Sequence, residues 1–287
     1  MIRPARPEDL TALLGFLRQH VDSSMFLLGN IEAHGLGNET HPHGTHVLVH
    51  EEAGGITGAF GATNGGYLMC QHPGVTAAMA RDYIDRLGKW RILGMTGAAD
   101  QVAMFLDALP IAADAWQVNR VEPLLSRDLA DLPVADARLR APVPSDRAML
   151  TDWFTGYLVE TGILDRTTAP DHASTRAQSA VASGGVRLLV GPDGAAIGMS
   201  AVNARATDVV QLGGVYVAPR FRGQGHAGRM IAAHLAELRA TSTNRAILFA
   251  ASDAATGAYL RLGFAVIGSY RIAMLRAPAT LQAGVRA

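Results

Sequence analysis

The chain has 287 residues, enough for two ordinary domains, and its 49% hydrophobic and 17% charged residues suffice for globular cores. The formal net charge is zero and Lys89 is the only lysine, so no basic tract favours nucleic acid, and no apolar run is long enough for a membrane span. Met1–Leu10 is too polar for a signal peptide and Cys70 is the only cysteine, so we expect a cytoplasmic protein without disulfide bonds.

The two halves of the chain begin alike. Residues 3–17 and 140–154 each start with a short strand, a proline and an aspartate, followed by an amphipathic helix. The aspartates, Asp9 and Asp146, stand where a carboxylate favours the first turn of a helix. Both segments are therefore predicted to form the same strand-to-helix unit.

The next segments also correspond. Residues 47–64 and 188–203 both read as β-hairpins, with turns at Gly54–Gly55 and Asp193–Gly194. A repeat of about 140 residues is too long for a solenoid and indicates a duplicated domain. We predict domains at 1–130 and 138–287, joined by a linker between Leu125 and Arg138.

Histidines cluster in the first half. The spacing is that of a loop before a strand and lacks the i, i+4 pairing of helical zinc motifs, so a solvated loop is favoured over a metal site. Whether the cluster binds anything is left open. Its members are His34, His41, His43, His46 and His50.

A glycine-rich turn dominates the second half. Val215–Val217 favours a strand, Pro219 ends it, and Gly213–Gly214 before it predicts a bulge. Glycine then recurs at 223, 225 and 228, and a helix follows in which apolar residues from Ala227 to Leu238 have helical spacing. A helix N-terminus directs free N–H groups and about half a unit of positive charge at one point, as a phosphate requires.

This turn resembles the acetyl-CoA pyrophosphate loop of the GNAT superfamily of N-acetyltransferases. The resemblance rests on Arg222-x-x-Gly225-x-Ala227, preceded by Val217-x-Pro219. A second stretch supports it: residues 245–250 read as a strand, and Ser252, Tyr259 and Gly263–Phe264 match the spacing of the second motif of the family. The family usually has an asparagine where this chain has Ser252. Together the motifs cover roughly residues 138–276.

The resemblance implies an α/β (mixed α+β) fold of two tandem GNAT-like domains, each a mostly antiparallel central sheet flanked by helices. It also implies acetyl-CoA as co-substrate, with no metal. The implied cofactor-binding residues are Val215, Tyr216, Val217, Arg222, Gly223, Gln224, Gly225, His226, Ala227, Gly228 and Ser252.

Tyr259 is the expected catalytic residue, because a phenol with a usual pKa of about 10 stays protonated at neutral pH and can protonate a departing thiolate. The general base is not evident. Asp208 and Gln211 lie on the strand where the family often carries a glutamate, but an amide is not a base. A water-mediated route is the favoured hypothesis.

The first domain is predicted to be catalytically silent. Its third strand, residues 66–71, is followed by His72–Thr76, which has no arginine and no repeated glycines. The residue that corresponds to Tyr259 is Phe105, which has no proton to donate.

The sequence thus favours an acetyl-CoA-dependent N-acetyltransferase that acts on a primary amine of a small molecule by direct transfer. The alternatives are an acetyl-CoA-sensing regulatory protein without turnover and a protein N-acetyltransferase. A monomer or a homodimer is expected, without nucleic-acid or membrane partners. The sequence does not identify the acceptor amine.

Overall fold

The chain folds into two compact units. The computed structural model describes residues 1–132 and 136–282. One unit comprises Met1–Glu122 with the described residues of Gly268–Ala287, and the other comprises the described residues of Pro123–Ile267. No helix in these described ranges is long and apolar enough to cross a lipid bilayer.

Strands and helices follow one another in the same order in the two halves. The strands are β1 (Ile2–Pro4), β2 (Thr45–Glu52), β3 (Gly55–Thr63), β4 (Tyr67–Gln71), β5 (Trp90–Ala98), β6 (Trp116–Asp128), β7 (Leu139–Arg140), β8 (Val186–Val190), β9 (Ala196–Ala206), β10 (Val209–Val217), β11 (Arg245–Phe249) and β12 (Ala265–Leu281). The helices are α1 (Leu10–Gln19), α2 (Val21–His34), α3 (Ala77–Leu87), α4 (Ala99–Ala108), α5 (Arg147–Glu160), α6 (Ala169–Ser183), α7 (His226–Arg239) and α8 (Asp253–Arg261).

The two units have the same sheet topology. In the first unit the strand order is β1-β2-β3-β4-β5-β12, and in the second it is β7-β8-β9-β10-β11-β6. All of these pairs are antiparallel except β4–β5 and β10–β11, which are parallel. The predicted hairpins at 47–64 and 188–203 are confirmed as β2–β3 and β8–β9. The mostly antiparallel sheet and the duplication are thus both confirmed.

The helices of the second unit cover both faces of its sheet. Leu188 and Tyr216 pack with α5 and α6, whereas their chain neighbours Leu189 and Val217 pack with Met230 of α7. Since successive strand residues point to opposite faces, these contacts place α5 and α6 on one face and α7 on the other. Trp153 of α5 is a core residue.

An arginine–aspartate pair fixes the start of each unit. Arg3 donates to both carboxylate oxygens of Asp9 at 2.6 and 2.9 Å, and Arg140 does the same to Asp146 at 2.6 and 2.8 Å. The hydrogen bonds from Arg3 lower the pKa of Asp9 to about 2, and those from Arg140 lower the pKa of Asp146. Each pair ties the first strand to the turn before the first helix.

The compact units differ from the predicted domains 1–130 and 138–287. Residues 270–281 of β12 pair with β5, so the end of the chain completes the sheet of the first unit. Residues 124–128 of β6 pair with β11 of the second unit. Residues 125–128 of the predicted linker are therefore strand, and its residues 133–135 lie outside the described residues. An apolar pattern predicts a strand but does not say which sheet it joins.

Candidate active site

Strand β10 separates from β11 beside the predicted loop. The parallel pairing covers only residues 209–211 of β10 and 245–247 of β11. Beyond it, the register between β10 and β9 shifts between Gly213 and Tyr216, and Gly214 has a φ of 57°. The predicted bulge at Gly213–Gly214 is thus confirmed. Residues 212–217, including Val215–Val217, have no pairing partner in β11, so their backbone groups on that side can bind an extended ligand.

The loop after β10 leaves a helix N-terminus open. A short 3₁₀ turn at Pro219–Phe221 leads to Gly223 and Gly225, whose φ angles are 76° and 73°. Gly225 is the N-cap of α7 and offers no side chain to cap it. Among the described residues, no group accepts a hydrogen bond from the N–H groups of residues 223–228. These free donors and the helix dipole form an anion cradle, which fits a diphosphate.

The guanidinium of Arg222 forms hydrogen bonds within the protein. Its Nε donates to the carbonyl of Val217 at 2.8 Å, and its Nη2 donates to both carboxylate oxygens of Glu160 at 2.9 and 3.0 Å. Its guanidinium lies 5.0 Å from the centroid of the Tyr216 ring. Arg222 therefore links the loop to the end of α5, a contact that the sequence motif did not predict.

Removing the Glu160 carboxylate should strengthen binding of the acetyl-CoA that the sequence predicts for this loop. In Glu160→Gln, Arg222 keeps its bond to Val217 but loses the competing anion. The pair is about half exposed, and such pairs contribute at most about 1 kcal/mol, so we expect a gain in affinity of up to about fivefold. Calorimetric titration with acetyl-CoA measures it.

Glu8→Gln is the control for net charge, because Glu8 is exposed and lies in the first unit. Equal affinities for Glu160→Gln and the wild type would show that Arg222 does not reach the cofactor.

The remaining loop residues lie at the start of α7. Nδ1 of His226 lies 2.8 Å from Nη2 of Arg229, and burial, with a smaller effect of Arg229, lowers the pKa of His226. Both effects favour the neutral form of His226, the first residue of the helix. In the chain, Gln224 precedes Gly225 and Ala227 follows His226. Gly228 packs against the side chain of Leu262, the residue after α8.

Helix α8 follows β11 and carries Ser252 and Tyr259. Oγ of Ser252 accepts the N–H of Ala255 at 3.2 Å, so this side chain is the N-cap that the sequence predicted. Tyr259 lies on the buried face of α8, 9% exposed, with its ring centroid 6.1 Å from that of Phe264. Its role as general acid remains a prediction.

Asp208 and Gln211, the two residues considered as a general base, lie in different parts of strand β10 and its approach. Oδ2 of Asp208 accepts from Nδ2 of Asn244 at 2.8 Å, and Asp208 precedes β10 at the end farthest from the loop. Nine residues of strand separate it from Val217, a distance of roughly 30 Å. Gln211 is buried where β10 and β11 separate, and its Oε1 has no partner among the described residues. Neither residue is a base for the loop.

In the first unit, side chains occupy the positions that correspond to the open helix N-terminus and to Tyr259. Oγ1 of Thr76 caps α3 by accepting the N–H of Met79 at 3.3 Å. The ring of Phe105 is fully buried and stacks on Phe60 with centroids 4.8 Å apart. These contacts agree with the predicted catalytic silence of the first unit, which stays a prediction.

The histidines of the first unit form ring contacts. His34 stacks on His41 with centroids 3.8 Å apart, and His41 lies 5.5 Å from His43. His46 contacts the ring of Trp90 instead, and His50 stacks on His72. In the described parts of the chain, no group of three or more His, Cys, Asp or Glu is arranged to hold a metal ion.

Two buried histidines should make folding stability depend on pH. Burial, with a smaller effect of His50, lowers the pKa of His72 to about 4, and burial, with a smaller effect of Arg187, lowers that of His234 to about 4. In the unfolded chain both titrate near 6.5, so the unfolded state binds more protons between the two values. We expect the free energy of unfolding to be highest above about pH 6.5 and to fall as the pH drops toward 4.

Urea denaturation at several pH values measures this effect. His72→Gln should flatten the pH dependence, whereas His172→Gln, at an exposed position of α6, should leave it unchanged. A wild-type free energy that is constant from pH 7 to 4.5 would contradict the prediction.

Comparison with known proteins finds a related family for part of the chain. The model of the family described as acetyltransferase (GNAT) family matches residues 149–264. No curated protein matches the chain. The match runs from residue 149, within α5, to residue 264, just before β12, and includes the loop, Ser252 and Tyr259.

Solved structures share the fold over nearly the whole chain. A Drosophila protein has a TM-score of 0.61 at 13% identity and covers 96% of this chain and 98% of its own. A GCN5-related N-acetyltransferase from Sphaerobacter thermophilus has a TM-score of 0.57 at 14% identity and covers 99% and 96%. A tandem GNAT protein from the clavulanic acid biosynthesis pathway has a TM-score of 0.51 at 16% identity and covers 100% and 99%. These similarities confirm the tandem fold.

Proposed function

We propose that the second unit transfers an acetyl group from acetyl-CoA to a primary amine of a small molecule. The family supports this proposal, because residues 149–264 match the model of the acetyltransferase (GNAT) family. The observation that carries the proposal is the open N-terminus of α7 beside the separated strands β10 and β11. The open helix N-terminus can bind the diphosphate of acetyl-CoA, and the unpaired side of β10 can bind the extended arm that carries its sulfur. In the first unit, the helix after the corresponding loop has a side-chain cap from Thr76 and so lacks the first feature.

The reaction makes three demands on these residues. The amine must be neutral, although its usual pKa is about 10, and in the proposal its proton passes to water. The thioester carbonyl must be polarised, which those N–H groups of residues 215–217 that point away from β9 can do. One such donor contributes about 3 to 4 kcal/mol to transition-state stabilisation in other acyl-transfer enzymes.

The third demand is a proton for the leaving sulfur. In the proposal Tyr259 donates its phenolic proton to the thiolate as the new amide forms, and it regains a proton from solvent afterwards. A phenol suits this role because it stays protonated at neutral pH and its acidity is close to that of a thiol.

Thiol release in the presence of acetyl-CoA tests the proposal. The protein is incubated with a panel of small primary amines, and free thiol and acetylated amine are both measured. We expect equal amounts of the two products for at least one amine. Binding of acetyl-CoA without thiol release would instead favour a sensing protein, and turnover only with peptides that have a free N-terminus would favour a protein N-acetyltransferase.

A further inference from the structure

A second polar site lies on the other half of α7. A groove of about 430 Å³ opens between the end of α6, strands β8 and β9, and the second half of α7. We call it the α7 groove and define it by Arg187, Asn203, Arg205, His234, Glu237 and Thr241. His234 lies nine residues beyond Gly225, about 13 Å along the helix axis, so the groove is distinct from the acetyl-CoA loop.

The groove is rich in guanidinium donors. Nε of Arg187 donates to Oε2 of Glu237 at 2.6 Å, and its Nη1 donates to the carbonyls of Gly184 and Val186, which leaves Nη2 without a described partner. Nη1 of Arg205 donates to Oγ1 of Thr243 at 2.9 Å, and its Nε and Nη2 have no partner in the described chain. The lining includes two guanidiniums and one carboxylate, so the groove carries an excess of positive charge.

A buried imidazole lines the same groove. His234 is 2% exposed, and its Nδ1 lies 2.8 Å from Oγ of Ser200. No described residue forms a hydrogen bond with its Nε2. When the Ser200 hydroxyl donates to Nδ1, the ring carries its proton on Nε2 and presents one more donor. This histidine has no part in the proposed acetyl transfer.

These features together match one ligand chemistry. Arginine side chains bind carboxylates and phosphates through paired N–H donors, and a neutral imidazole N–H complements the same oxygens. The volume of the groove lies within the range of small-molecule pockets. We propose that the α7 groove binds a small molecule with an oxyanion group, a carboxylate or a phosphate, through Arg205, Arg187 and His234.

Calorimetry with two probes tests the proposal. Inorganic phosphate and succinate are titrated separately at low ionic strength into full-length protein carrying Gly225→Glu, so that the loop does not contribute. We expect saturable binding of at least one probe at a single site. Adding Arg205→Gln should weaken it at least about tenfold, because a charge-assisted hydrogen bond is lost. The imidazole NMR signals of His234 should shift with the same dissociation constant.

Arg176→Gln is the matched control, because Arg176 is an exposed arginine of α6 outside the groove. It should change the affinity less than twofold. Phosphate binding alone assigns a phosphorylated ligand, and succinate binding alone assigns a carboxylic acid. Absence of saturable binding of both probes, or equal losses in Arg205→Gln and Arg176→Gln, would overturn the proposal.

Discussion

Gly225→Glu should abolish acetyl-CoA binding, with a loss of affinity of at least about a hundredfold. Gly225 has a φ of 73°, which side chains of L-residues rarely adopt, and it stands where the free N–H groups of α7 converge. The new carboxylate would bring a negative charge to the phosphate position and would itself use those donors. Apart from its chain neighbours, no atom lies within 4 Å of a Cβ at this position, so the variant adds backbone strain but no steric clash.

The first unit provides a matched control for this experiment. Gly74 has a φ of 77°, also has open space around its Cβ position, and lies in the corresponding loop. Gly74→Glu therefore introduces the same charge and similar backbone strain without touching the proposed site. Calorimetric titration should show wild-type affinity for Gly74→Glu. If Gly74→Glu and Gly225→Glu lost acetyl-CoA equally, the assignment of the cradle to the second unit would fail.

Tyr259→Phe should lower kcat on the order of a hundredfold or more while acetyl-CoA affinity hardly changes. The substitution keeps the ring that packs against Phe264 and removes only the hydroxyl. If that hydroxyl protonates the leaving thiolate, its loss raises the barrier of the chemical step and leaves ground-state binding intact. Steady-state kinetics with an amine that is turned over by the wild type, together with calorimetry, separates the two effects.

Tyr67→Phe is the control for removing a phenol, because Tyr67 is a partly exposed residue of the first unit. It should have wild-type kcat. Wild-type turnover in Tyr259→Phe with every active amine would reassign Tyr259 to packing. A large loss of acetyl-CoA affinity in that variant would instead indicate that the hydroxyl supports the shape of the site.

The local elements and the loop could be predicted because they depend on short stretches of sequence. Gly54–Gly55 and Asp193–Gly194 favour hairpin turns whatever the rest of the fold, and the alternation of apolar residues around them defines the strands. The same holds for the Gly213–Gly214 bulge and the glycines of the loop, since each supplies backbone angles that other residues avoid. The duplication followed from the two similar patterns.

Tertiary structure decided which distant segments meet. The pairing of β12 with β5 and of β6 with β11 depends on contacts far apart in the sequence, so no local pattern could divide the chain correctly. The Arg222–Glu160 pair was not predictable for the same reason, because its members are 62 residues apart in the sequence. The α7 groove likewise combines side chains from β8, β9 and α7. The sequence by itself determined the elements, the repeat and the anion cradle, because these depend on local backbone geometry. Long-range packing, which only the folded chain defines, determined which strands pair, that Arg222 contacts Glu160, and that the α7 groove forms.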